Sequence, residues 1–308
     1  MLLLLLFFIL ILILLTNNEN FMETNSTDII INIPKILDEV KYFTNNKKKI
    51  AIITSIYNNY DNLKEQNINN KNDVDWYCFT DNINLKSTTW KNINKPYHLL
   101  NTNIDSNKEY KEYKEYKNYY NNIKNPKIYS MMCAKYYKIK THEIDILQDY
   151  DYYIWIDGTI ILHKDFISKL MILINQDNMD LINFTHPSRT NIHDESIFSE
   201  ESTDRYKEQK VIKQKEIYHD EGFPDNLGLF ALSFIIKKNN KYINNIFDNW
   251  WIENLKYSYQ DQISYPYVLW KFKKENENKN DYKYTKPDYV INEDVYNNNN
   301  YNVISGHL

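Results

Sequence analysis

The chain has 308 residues, 43% of them hydrophobic and 25% charged, with a formal charge of −4. That length suits one large domain or two small ones. The mild acidity gives no electrostatic footprint for a nucleic-acid partner, and 28 Tyr and 6 Trp exclude a fully disordered chain.

Residues 2 to 15 are all Leu, Ile or Phe. A run of about 14 falls short of the roughly 20 residues a spanning helix needs, so it reads as a signal anchor or a signal-peptide core. No basic residue precedes it and no small-x-small cleavage site follows. An uncleaved membrane anchor, with the remainder in the secretory lumen, is the favoured reading; cleavage would make the protein secreted. Asn25-Ser26-Thr27, a glycosylation acceptor, fits a lumenal side. Residues 16 to 48 read as a polar stem. The folded domain takes 49 to 308, with a low-complexity insertion at 101–127 and an Asn-rich tail at 273–300.

Ile50–Ile56 is a buried first strand followed by the polar, aromatic loop Tyr57–Asp61. Val74–Thr80 is a second strand, ending at Asp81. Ser130–Leu147 is helix-like and carries Lys135 and Lys138, three apart and so on one helical face; a solvated basic face is the simpler reading. In Tyr152–Ile160 a continuous apolar run meets Asp157 and then Gly158, as in a strand buried on both faces of a parallel sheet. Open α/β sheets bind ligands at the carboxyl ends of their strands. A carboxylate there can hold a hard cation, and the cation a diphosphate; alternatively Asp157 only begins a turn. Gly158 is expected to permit a sharp turn and close approach of a ligand. Only four glycines are present, which excludes a Gly-rich phosphate loop of the Walker or dinucleotide type.

Phe166–Gln176 has the 3.6-residue apolar pattern of a helix capped by Asp165. Met179–Phe184 reads as a strand delivering His186, Arg189 and Glu195 in a polar cluster, either a ligand edge or an ordinary loop. A polar helix is expected over Asp204–Tyr218, stopped by Gly222 and Pro224. Leu227–Ile236 reads as a strand, and Asn240–Tyr257 as the clearest amphipathic helix. In the aromatic stretch Ser258–Trp270, Pro266 begins or kinks a helix and Asp261 is a capping candidate. Cys78 reads as a core residue, with a disulfide to Cys133 left open. Strands alternating with helix-length connections give an α/β fold.

Taken together these blocks resemble a known family, the glycosyltransferase-like domain shared by plant mucilage hexosyltransferase-type proteins and a plant protein described as an alkaline ceramidase. The resemblance runs through Ile50–Asp61, Val74–Asn82, Lys135-Tyr136-Tyr137-Lys138 with His142, and Ile154-Trp155-Ile156-Asp157-Gly158. It continues through His186-Pro187 with Arg189 and Glu195, Glu221-Gly222-Phe223-Pro224, Gly228-Leu229, Trp250-Trp251 and Asp261–Trp270. It covers most of residues 49 to 271.

The resemblance implies a GT-A-like single domain with a mostly parallel central sheet flanked by helices. It implies an enzyme that moves a sugar from a nucleotide-sugar donor to a glycan, protein or lipid acceptor. Asp157 stands where such enzymes bind a divalent cation, Mn or Mg, on the donor diphosphate. The usual Asp-x-Asp is reduced here to Asp157-Gly158-Thr159, and His307 is a further candidate ligand. Lys135, Lys138, His186 and Arg189 would bind the donor, and Asp81 its nucleoside. If the reaction inverts stereochemistry, Asp261 is the first candidate base and Glu195 the second. A sphingolipid amide hydrolase is the alternative, although no compact His-Glu-x-x-His pattern supports it. A carbohydrate-binding module that has lost catalysis is another.

Overall fold

The computed structural model describes residues 48–94, 126–177, 180–202, 204–207, 209–276 and 290–294. The chain enters the sheet through Ile50–Ile56 (β1), buried along its whole length. Successive side chains of a strand point to opposite faces, so Ala51 and Ile53 enter one core and Ile50 and Ile52 the other. On one side β1 pairs in parallel with Asp75–Thr80 (β2), on the other with Tyr152–Ile156 (β4). A short strand, Lys91–Asn94 (β3), adds in parallel to β2; its polar residues gave no strand pattern in the sequence.

Beyond β4 the direction changes. Phe230–Lys238 (β6) runs antiparallel to β4 and to Leu181–Thr185 (β5). These six strands form the central sheet in the order β3-β2-β1-β4-β6-β5, and Val290–Asp294 (β7) extends the edge beside β5 in parallel. The sheet is therefore mostly parallel, as expected, with one reversed strand inserted next to β4.

Helices cover both faces. On one face Pro126–Ile139 (α1), Ile192–Ser202 (α3), Val211–Asp220 (α4), Lys241–Lys256 (α5) and Asp261–Asn276 (α6) contribute buried residues to a core with Ile53, Phe79 and Trp155. On the other, Phe166–Asp177 (α2) packs Phe166, Ile167, Leu170 and Ile174 against Ile52, Ile154 and Ile156. Asn240 starts α5 by accepting hydrogen bonds from the Tyr242 and Ile243 backbone N–H groups, both at 3.0 Å, which satisfies donors a helix start otherwise leaves orphaned.

Several boundaries differ from the sequence reading. The helix expected to reach Leu147 ends at Ile139 and is followed by two 3-10 turns, Thr141–Glu143 and Asp145–Leu147. Lys140, at the break, is tied by ion pairs to Glu143 and Asp248. The helix expected from Asp204 divides into a 3-10 turn, Asp204–Tyr206, and α4. Glu195 lies in α3 rather than in a loop. Pro266 lies inside α6, not at its start. Cys78 and Cys133 are buried free thiols. Residues 1–15 lie outside the described residues, and among the described residues no helix is long and apolar enough to cross a membrane.

Candidate functional site

A cleft opens at the carboxyl ends of β1 and β4, on the face covered by α1 and α6. Ser55, Tyr57, Lys135, Lys138, Asp157 and Asp261 line it, together with His186 and Gln260. Strand β4 carries Asp157 to this edge because its apolar run ends there. The Asp157 N–H donates to the Ser233 carbonyl of β6 at 2.9 Å, and its own carbonyl accepts from Ile160 N–H at 3.0 Å to close a turn. The carboxylate is half-buried, and its Oδ1 accepts a hydrogen bond from the Trp155 indole Nε1 at 2.8 Å. Trp155 lies two residues earlier, on the same face of the strand.

Gly158 lies in the turn and lines the cleft, and packing gives it a further reason. A Cβ there would stand 2.8 Å from Cδ1 of Ile56, so the glycine lets the turn close against β1. Its φ is not in the left-handed region, whereas Gly222 and Gly228 have φ of 89° and 83°.

The floor of the cleft is a charge cluster. Lys135 and Lys138, one turn apart on α1, both point their ammonium groups at the Oδ2 of Asp261, the first residue of α6. The Lys138 bond is 2.5 Å. Lys138 also lies over the rings of Trp155 and Trp250, at 5.6 Å and 5.9 Å from their centroids. Burial would raise the Asp261 carboxyl, but the two ammonium groups outweigh it and hold it below its ordinary value. Burial pushes the Lys135 ammonium down to about 8 against the pull of Asp261. The second oxygen of Asp261, Oδ1, is buried and has no hydrogen-bond partner among the described residues. The carboxylate is thus spent on two side chains rather than on capping its helix.

The other sequence-predicted residues divide. His186 reaches the cleft. Its Nδ1 accepts from the Ser188 and Arg189 N–H groups at 3.3 Å and 3.0 Å. Burial first, and the Arg189 charge second, push its pKa down to about 4, so the imidazole is neutral at physiological pH. Arg189 and Glu195 form a separate ion pair. Glu195 is buried and accepts from Gln260 Nε2 at 2.7 Å, and Gln260 accepts from the Tyr206 hydroxyl at 3.0 Å. This network fixes the cleft wall to the start of α6. Asp81 accepts from the Asn58 N–H with both carboxylate oxygens at 3.1 Å and so braces the loop after β1. Asp81, Arg189 and Glu195 are not among the residues lining the cleft. His307 lies outside the described residues.

Sequence reasoning passed over Trp155, Gln260 and Ser233. For Trp155 a signal existed, since a residue two before Asp157 on a strand shares its face.

Asp157 is not part of a closed protein cage for a divalent cation, although such a cation can be held by one or two carboxylates together with substrate phosphates. One of its oxygens is engaged by the indole, the second Asp-x-Asp position is the buried Thr159, and of the two other carboxylates lining the cleft, Asp61 and Asp261, the latter is closed by ammonium groups. Among the described residues the one cluster with metal-ligand spacing is His142, Glu143 and Asp248, none of which lines the cleft. There the Lys140 ammonium already bridges Glu143 and Asp248, so a cation of the protein's own fills the position.

No curated protein matches the chain. A family model does: it spans residues 34–291, most of the chain, and so includes every element that builds the cleft. Membership carries a general glycosyltransferase role. The chain belongs to the TOD1/MUCI70 glycosyltransferase-like domain family.

Proposed function

We propose that the protein is a glycosyltransferase that takes a sugar from a nucleotide-sugar donor and passes it to a hydroxyl of a glycan, protein or lipid acceptor. The observation that carries this reading is one cleft at the carboxyl edge of the sheet in which a half-buried carboxylate, Asp157, is joined by a pair of ammonium groups, the partly exposed Lys135 and the buried Lys138. A divalent cation held by Asp157 and the donor phosphates would supply positive charge there, and the departing diphosphate, on which negative charge develops, must also be met by preorganised donors. Lys135 and Lys138 would supply them. His186, neutral and held by two backbone N–H groups, would border the donor as a hydrogen-bonding wall. Asp261 lies within the same cleft, where a base would meet an acceptor hydroxyl in an inverting reaction.

In this reading residues 1–15 hold the enzyme to a membrane of the secretory pathway and its catalytic domain faces the lumen. The direct test is release of nucleoside diphosphate from a panel of nucleotide sugars. Asp157→Ala is expected to lower turnover by about 100-fold or more, with an unchanged circular dichroism spectrum. Full turnover in that variant would remove Asp157 from the mechanism.

A further inference from the structure

We propose that Asp261 is a built-in stand-in for the donor's diphosphate: without ligand its carboxylate occupies the Lys135–Lys138 ammonium pair, and an incoming diphosphate takes that pair over. The inference rests on the transferase reading and adds how the donor is received.

Three features of the floor support it. Both ammonium groups converge on a single oxygen, Oδ2, although each carries three N–H donors and could serve several acceptors. The neighbouring Oδ1 has no hydrogen-bond partner among the described residues, although it is buried. Such an atom carries a desolvation penalty without compensation. The carboxylate therefore satisfies the lysines and leaves itself unsatisfied, as a small anion does in a place shaped for a larger one. Finally, the pair is reachable. The Lys135 side chain retains 17% exposure and lines the cleft, while Lys138 is held behind it between two tryptophan rings at 4% exposure.

A diphosphate offers several oxygens where Asp261 offers one to both ammonium groups, and charge-assisted bonds to phosphate are among the strongest available. The takeover also changes Asp261. While it is clamped by two cations, its carboxyl lies low and it is a poor proton acceptor. Released from them, it becomes more basic at the moment the donor is in place. Arrival of the donor thus arms the candidate base.

The proposal makes an uncommon prediction, that neutralising a buried acid in the cleft strengthens binding of an anion. Uridine diphosphate and inorganic pyrophosphate are titrated calorimetrically into the whole protein, in EDTA and again with manganese. Asp261→Asn is expected to bind pyrophosphate about tenfold more tightly than the native chain, and Lys135→Gln about tenfold more weakly. Lys135→Arg keeps the charge and should restore most of the affinity. Because Asp261→Asn leaves two cations without their counter-ion, its melting temperature should fall, and pyrophosphate should raise it by more than in the native protein. That thermal readout serves even if the variant is only marginally folded.

Weaker binding of both probes by a folded Asp261→Asn protein would overturn the proposal and make Asp261 a keystone or a direct ligand. Binding that requires manganese and is indifferent to Lys135→Gln would also overturn it, while leaving the transferase reading intact. Tight pyrophosphate binding with no preference for the nucleotide would support the anion exchange and count against a nucleotide-sugar donor. No binding of either probe would sink both.

Discussion

The two faces of the sheet bury different chemistry. Behind it, α2 and the strands form a core of Ile, Leu, Phe and Trp with Val74, Cys78, Tyr152 and Ala231, and among the described residues no buried charged residue lies on α2. In front, α1 and α3 to α6 cover an aromatic core that also encloses Lys138, Lys237, Glu195 and Asp261. A charge removed from water is costly and is retained where it is paired. Hydrophobic packing would hold the front helices at least as well, so stability does not account for the ammonium pair. The rear face is scaffold; the front face gives up stability to keep charges at the floor of a cleft.

Substitution can break this comparison. Asp261→Ala should be the most damaging, since it strands two buried ammonium groups; a loss of about 3–5 kcal/mol in urea unfolding is expected. A loss below about 1 kcal/mol would mean that the lysines relax to solvent and that the front face is less constrained than its geometry implies. Leu170→Ala, on the rear face, should cost about 2 to 3 kcal/mol through lost burial and a cavity. Its diphosphate affinity should stay native once the protein is folded. A change in affinity would show that the rear layer shapes the cleft.

The smallest effect sharpens the comparison through pH. Burial favours the neutral form of Asp248, but hydrogen bonding to His142 and the charge of Lys140 outweigh it and bring its pKa to about 2. On a loop beside the rear core, Glu65 also reaches about 2, because hydrogen bonds from Ser87, Thr88 and Thr89 outweigh its burial. Both carboxyls are depressed in the folded state. The stability each contributes is therefore present above about pH 4.5 and lost as pH falls from there to about 2. Each side chain is well solvated, so each contribution should be below about 1 kcal/mol. Asp248→Asn and Glu65→Gln should flatten this acid limb to similar extents, because neither belongs to the cleft. A much larger effect of Asp248→Asn would mean that the front face is electrostatically continuous.

How far the sequence disclosed this arrangement depended on distance along the chain. The runs Ile50–Ile56 and Tyr152–Ile156 announced buried strands, and Asn240 announced a helix start, because each signal is local. Asp157 could be placed at a strand end for the same reason. The pairing of Asp261 with Lys135 and Lys138 spans 126 and 123 residues, and nothing in either segment points to the other. Lys135 and Lys138 read as a solvated face because a basic helix surface has the same spacing whether it meets water or a buried acid. Strand β3 was invisible because an edge strand of polar residues lacks the alternation that marks a half-buried one.

The reversed strand β6 bears on how such a protein could diversify. Because it runs against β4, its beginning rather than its end meets the cleft, where Ala231, Leu232 and Ser233 contribute to the wall. The segment leading into it, 221–229, is held at its start by backbone bonds from Glu221, Gly222 and Phe223 to the end of α4 and at its end by His186 N–H to the Leu229 carbonyl at 2.8 Å; between these anchors it presents Leu227 to solvent. The exposed residues Asp225 to Leu227 between these anchors can change character without shifting any strand register. Variation can therefore accumulate there while the charge cluster at the floor of the cleft stays fixed.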